Sequence, residues 1–175
     1  MWQILNDNEL LKGKVLDFSP NRCLHKNFKK TLKDDYISTD YEGEFFADYA
    51  YDITGIFEPN NKFDLVICYH ILEHIPEDQK AINELHRVLK IGGKCYIQTP
   101  FKEGDTYEDP SITTPEERKK HFGQEDHVRI YSVEGLKNRL QKAGFKVTPL
   151  NFAEGSNNYF GFKEKETVLL AEKIL

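Results

Sequence analysis

The sequence predicts an α/β protein, a doubly wound sandwich around a mostly parallel sheet whose last strand is antiparallel. Three observations predict it. Residues 63–68 (FDLVIC) form a short, almost wholly apolar run, the pattern of a strand buried on both faces of a parallel sheet. Residues 77–89 then set Ala81, Ile82, Leu85, Val88 and Leu89 at helical spacing with charges between them, and a new apolar run follows at 95–99. That is a strand–helix–strand crossover. Towards the end of the chain, 145–150 and 166–172 read as two strands with no helical pattern between them, which makes the final one antiparallel.

Each element has its own local cause. Residues 2–11 place Trp2, Ile4, Leu5 and Leu11 along an opening helix broken at Gly13. Residues 14–18 (KVLDF) are a strand stopped by Pro20, and 22–32 a short helix carrying Leu24 and Phe28. A second strand at 35–40 (DYISTD) and a third, weaker one at 47–52 (ADYAYD) each end in an acid. Gly92 and Gly93 are expected to end the crossover helix, because a residue past a helix C-terminus often takes positive φ. Residues 102–130 read as a polar loop too long for a mere connection, and loops of that length act as lids or binding segments. An amphipathic helix at 133–143 is closed by Gly144, and 151–162 is read as the loop of a hairpin joining the last two strands.

A chain of 175 residues has room for one domain with one sizeable core, here 1–175. With a net charge of -5 it lacks the basic stripe of a general nucleic-acid surface, so no nucleic-acid partner is expected and a small molecule is. The basic cluster LHKNFKK at 24–30 reads as a solvated helix face. Cys23, Cys68 and Cys95 form no C-x-x-C pair and read as thiols in a reducing compartment. No apolar segment approaches membrane-spanning length and Met1 opens no signal-peptide pattern, so the expected setting is cytoplasmic with no membrane partner.

Ligands in such sheets bind beyond the carboxyl ends of the strands. Asp17 with Ser19, Asp40 and Asp52 stand at the ends of three successive strands. A carboxylate after a second strand offers two oxygens side by side to the hydroxyls of a ribose. One strand further out, Asp52 can accept an exocyclic amine of adenine. Singly each is a turn-former, as Asp often is; three in a row point to a nucleoside.

Here the chain resembles the class I methyltransferases that use S-adenosylmethionine, on the stretch FDLVICYHILEHIPEDQKAINELHRVLKIGG at 63–93, preceded by KVLDF, STD and YDI. Residues 106–132 (TYEDPSITTPEERKKHFGQEDHVRIYS) further resemble an uncharacterised bacterial subgroup of them. The resemblance implies a Rossmann-like sandwich, S-adenosyl-L-methionine as cofactor, and in-line transfer of its methyl group to an acceptor. It places Asp17, Ser19 and Pro20 around the methionine moiety, Asp40 and Tyr41 at the ribose, Asp52 and Ile53 at the adenine, and Cys68 and Tyr69 by the sulfonium. One departure stands out. The family's first loop resembles D-x-G-x-G-x-G, whereas this chain reads DFSPNRCL with no glycine. That loop argues strongly against a dinucleotide pyrophosphate cradle and hence against the third reading, a nicotinamide dehydrogenase. It also favours the second reading, a Rossmann-like module that binds without catalysis.

The segment HILEH fits the inverted zinc-protease pattern H-x-x-E-H. Pro76 leaves barely one helical turn there, and no third ligand is evident in a downstream helix, so no metal is assigned. Instead His70 is expected to line the pocket, Glu73 to face the substrate or brace the turn, and His74 to be structural. In 121–129, His127 and Arg129 alternate with Val128 and Ile130 like an extended edge turned towards the pocket. If the acceptor loses a proton, His70, His121 or His127 is the expected base, and Glu73 with Arg129 the expected substrate contacts.

Overall fold

The computed structural model describes residues 12–43, 46–152 and 166–175. The helix expected at 2–11 and most of the 151–162 connection lie outside the described residues.

The chain enters the sheet as β1 (Val15–Phe18), in which every residue is buried. Asn21 caps α1 (Arg22–Leu32) by accepting from the Cys23 amide at 3.0 Å, and α1 returns the chain to β2 (Tyr36–Thr39), parallel to β1. Then come β3 (Phe63–Tyr69), α2 (Asp78–Val88) and β4 (Leu89–Gln98), the crossover expected from sequence. Successive side chains of a strand point to opposite faces, and the core divides accordingly. Leu16, Phe18, Val66, Cys68 and Ile97 pack with Ala81, Ile82, Leu85 and Val88 of α2. Val15, Leu65, Ile67 and Tyr96 pack with Phe28 of α1 on the other face. Coverage of both faces is why β1 and β3 are apolar but for Asp17 and Asp64.

The glycine pair plays a different part from the one expected. The helix ends at Val88 because Leu89 is already extended and paired with Phe63. Gly92 and Gly93 lie inside β4, where the register jumps from Phe63↔Leu89 to Leu65↔Lys94. A Cβ on Gly93 would sit 2.8 Å from the Lys90 carbonyl oxygen, so the bulge demands a bare backbone there.

The strand expected at 47–52 does not form: Tyr49 makes a single parallel bridge to Thr39. Side chains replace the ladder. Asp48 accepts from the amide and hydroxyl of Ser38 at 3.0 and 2.8 Å, and Thr39 Oγ1 accepts from the Tyr51 amide at 2.7 Å. An edge satisfied this way needs no further strand.

Residues 102–130 are likewise not one loop. Two-residue strands β5 (Phe101–Lys102) and β6 (Tyr107–Glu108) flank β7 (Arg129–Ser132) in a small sheet of order β5-β7-β6. Between them lies α3 (Pro115–Phe122), capped by Thr114, opened by Pro115 and followed by Gly123 at φ 91. Those start and stop signals stand openly in TTPEERKKHFG, and the polarity of the segment hid them. Next, α4 (Val133–Lys142) leads into β8 (Phe145–Phe152), and β9 (Glu166–Lys173) slots between β4 and β8, antiparallel to both. The large sheet reads β2-β1-β3-β4-β9-β8. Among the described residues, no helix is long and apolar enough to cross a membrane.

Candidate functional site

The carboxyl ends of β1, β2 and β3 open on one cavity of about 860 Å³. Asp17, Ser19, Asp40, Tyr41, Tyr69, His70, Glu73 and His127 all line it. Its volume falls within the range of about 300–1,000 Å³ usual for small-ligand sites.

The first wall is built by β1 and β2. Ser19 takes φ 47, left-handed backbone that favours glycine, so it adopts the conformation expected of the absent glycines. Two bonds hold it there: its amide donates to the Thr39 carbonyl at 2.8 Å and its hydroxyl to Asp40 Oδ1 at 2.9 Å. Asp17 is buried and accepts from the Tyr36 hydroxyl at 2.7 Å. Burial pushes its carboxyl up to about 7, against the opposing hydrogen bond from Tyr36. Tyr41 stands exposed at the mouth.

The second wall begins where β3 ends. His70 also has positive φ, 56, and its amide donates to the Gln98 carbonyl at 2.9 Å. A 3-10 turn (Leu72–His74) follows and carries Glu73 inward to 1% exposure. Neither Glu73 oxygen has a hydrogen-bond partner among the described residues, and a buried carboxylate left so costs at least about 1–3 kcal/mol. The Tyr69 hydroxyl is also buried without a partner among the described residues, and burial pushes its pKa up. His74 Nδ1 lies 2.9 Å from Asp126 Oδ2, and His127 Nδ1 lies 3.2 Å from the Phe122 carbonyl oxygen. Ligand-capable atoms of Glu73, His74 and His127 lie within 4.8 Å of one another.

Several expected site residues are elsewhere. Arg129 does not face the cavity as a substrate contact. It is buried under the 3-10 turn and donates to the carbonyls of Leu72 (3.1 Å), Ile75 and Pro76 (2.9 Å), and through Nε to Glu108 (2.9 Å). Burial alone would raise the Glu108 carboxyl, but Arg129 and Arg139 hold it below its usual range. His121 is tied by Nδ1 to the Tyr107 hydroxyl at 2.7 Å and does not line the cavity. Asp52 is an exposed turn-former whose Oδ1 accepts from the amide and hydroxyl of Thr54 at 2.7 and 2.8 Å. Ile53 is in the main core, Pro20 is buried off the cavity, and Cys68 is wholly buried with its thiol pushed well up by burial. The H-x-x-E-H pattern does not form the helical pair of a protease either, because the left-handed turn at His70 separates it from His74. His74 itself lines the cavity, and its partner in space is His127, ring to ring at 4.6 Å.

A family model described as a methyltransferase domain matches residues 8–150. The ubiquinone biosynthesis O-methyltransferase of Xanthomonas oryzae pv. oryzae is 35% identical over 63 residues, 36% of this chain and 24% of that protein. The tRNA U34 carboxymethyltransferase of Campylobacter fetus is 30% identical over 89 residues, 50% of this chain and 29% of that protein. The chain thus spans less than a third of the length of these curated relatives. A SAM-dependent methyltransferase from Archaeoglobus fulgidus superposes with TM-score 0.65 at 16% identity, covering 97% of this chain and 91% of that one, a likeness of fold.

Proposed function

Because the chain belongs to the methyltransferase-domain family, we propose that it is an enzyme that binds S-adenosyl-L-methionine across the ends of β1, β2 and β3 and transfers the methyl group to a small-molecule acceptor. The observation that carries this reading is the meeting of Asp17, Ser19 and Asp40 at one cavity of nucleoside-accommodating size. The glycine-free loop, which favoured a non-catalytic module, loses its force, because Ser19 supplies the left-handed turn and a hydroxyl besides.

The bound cofactor supplies a methyl already activated by its sulfonium, so the protein's contribution is position. Asp40 holds the ribose, with Tyr41 closing beside it. Asp17 offers a carboxylate to the cationic methionine end, and the Tyr69 ring offers its face to the sulfonium. His70 stands at the mouth and holds the acceptor by a hydrogen bond. Fixing acceptor and methyl in line can supply about 7–11 kcal/mol of the barrier. The net charge of -5, with Glu42 and Asp126 on the cavity lining, favours a small acceptor over a polyanionic nucleic acid. The relative named for ubiquinone biosynthesis supports an oxygen acceptor; the one named for tRNA makes nucleic acid the outcome to test against.

Calorimetry with S-adenosylmethionine and S-adenosylhomocysteine is the test. Binding at one site, weakened in Asp40→Ala, is expected. No heat with either ligand, together with no adenosyl compound co-purifying by mass spectrometry, overturns the reading. A His70→Ala variant should keep cofactor affinity and lose single-turnover methyl transfer.

A further inference from the structure

We propose that Glu73, His74 and His127 form a binding site for one divalent transition-metal ion in the second wall of the cavity. Three independent features point to it. Glu73 is 1% exposed, lines the cavity, and has no hydrogen bond to either oxygen among the described residues. Its nearest basic neighbour, His70 Nδ1, is 3.5 Å from Oε1 and makes no hydrogen bond. A buried carboxylate placed this way wants a cation.

The two histidines are already set as ligands. A carbonyl oxygen only accepts, so His127 Nδ1, 3.2 Å from the Phe122 oxygen, carries the proton, and its Nε2 lone pair is left for a metal. The Asp126 carboxylate, 2.9 Å from His74 Nδ1, imposes the same tautomer on His74. An imidazole oriented through its other nitrogen by a carboxylate or carbonyl is the usual support of a metal-bound histidine. One ligand-capable atom from each of the three residues lies within 4.8 Å of the others, close enough for one ion to bridge after small side-chain rotations.

The backbone holds the cluster together across the chain. The Val128 amide donates to the Glu73 carbonyl at 2.9 Å, seating His127 beside the turn that carries Glu73 and His74. Arg129 then binds the carbonyl of Leu72, the first residue of that turn, and those of Ile75 and Pro76 just after it. It is a positioning residue for the site.

Two imidazoles and one carboxylate suit zinc(II), iron(II) or cobalt(II) and leave coordination positions open. Those positions face the cavity, so an acceptor with an oxygen donor (a phenol or a hydroxy acid) fits them. This last clause rests on the proposed methyl transfer; the metal site does not.

The test uses the untagged 175-residue chain stripped with a chelator and titrated with cobalt(II), read by visible absorption, with zinc(II) as competitor. One cobalt per chain is expected, with Glu73→Gln and His127→Ala each at least tenfold weaker and Asp126→Asn weaker by about tenfold or more. Melting keeps the proposal falsifiable if a variant folds poorly. Zinc(II) should raise the melting temperature of the wild type and not of Glu73→Gln, while in chelator Glu73→Gln should melt no lower than the wild type. No cobalt binding, or equal binding by wild type and both ligand variants, overturns the site. S-adenosylhomocysteine titrated into the same samples separates the two ideas: adenosyl binding without a metal response sinks the metal site alone, and the converse sinks the functional reading alone.

Discussion

The two walls of the cavity solve opposite problems. On the β1–β2 side the two buried acids are answered locally, Asp17 by Tyr36 and Asp40 by Ser19, within about twenty residues of sequence. On the side after β3, Glu73 goes unanswered, while Arg129, Val128 and His127 arrive from more than fifty residues away to hold the turn around it. The first wall is satisfied by its own hydrogen bonds. The second is rigid yet electrostatically incomplete. The difference teaches that a site can be locally stable on one side and globally braced on the other, so mutations on the two sides should report through different measurements.

The largest effect expected is on stability. Arg129→Ala removes the donors for three carbonyls and one partner of Glu108, a loss of about 3–5 kcal/mol. For a chain of 175 residues that lowers the melting temperature by roughly 6–20 °C at about 2–4 °C per kcal/mol. A fall of a degree or two would dissolve the contrast between the walls. Next comes Asp40→Ala, which should weaken S-adenosylhomocysteine about 30–100-fold, about 2–3 kcal/mol for hydrogen bonds to a charged group, and leave melting within a few degrees. Equal affinity for wild type and variant would take the ribose off this wall.

A smaller effect follows pH. Asp17 has a folded value of about 7, above the roughly 3.9 of an unfolded chain, so its contribution to stability is complete below pH ~4 and lost as pH rises through 7. His25 and His86, both lowered by burial, act in the opposite sense, so the readout is the difference between wild type and Asp17→Asn. The wild-type melting temperature should fall relative to that variant between pH 5 and 8. A cationic ligand beside Asp17 favours its ionised form, so cofactor binding near pH 7 should release a proton, seen as buffer-dependent heat in calorimetry. A pH-independent difference would place the Asp17 carboxyl in ordinary solvent. The smallest effect is Asp52→Ala, which removes two turn bonds from Thr54 and should change cofactor affinity less than threefold; a tenfold loss would restore Asp52 to the adenine.

Elements made of local pattern were legible. The 22–32 helix is observed as Arg22–Leu32, and the crossover from Phe63 to Gln98 follows its apolar runs. That Asp17, Ser19 and Asp40 meet at one rim was legible too, because strand ends converge by topology once the strands are known. Ala47–Asp52 was not, since Asp48 and Thr39 side chains outcompeted ladder bonds that only the folded edge makes available. Nor was the role of Arg129, whose acceptors are backbone carbonyls that carry no sequence signature.

The sequence by itself determined the layers, the sheet order's parallel core and the antiparallel last strand, because periodicity and caps act over a few residues. Only the tertiary structure decided which polar side chains are spent and which remain open. Asp52 and Arg129 are consumed by neighbours, whereas Glu73, His74 and His127 meet across more than fifty positions. The physical reason is that hydrogen-bond satisfaction and burial belong to a place in space, and a short window of sequence does not contain the groups that will stand there.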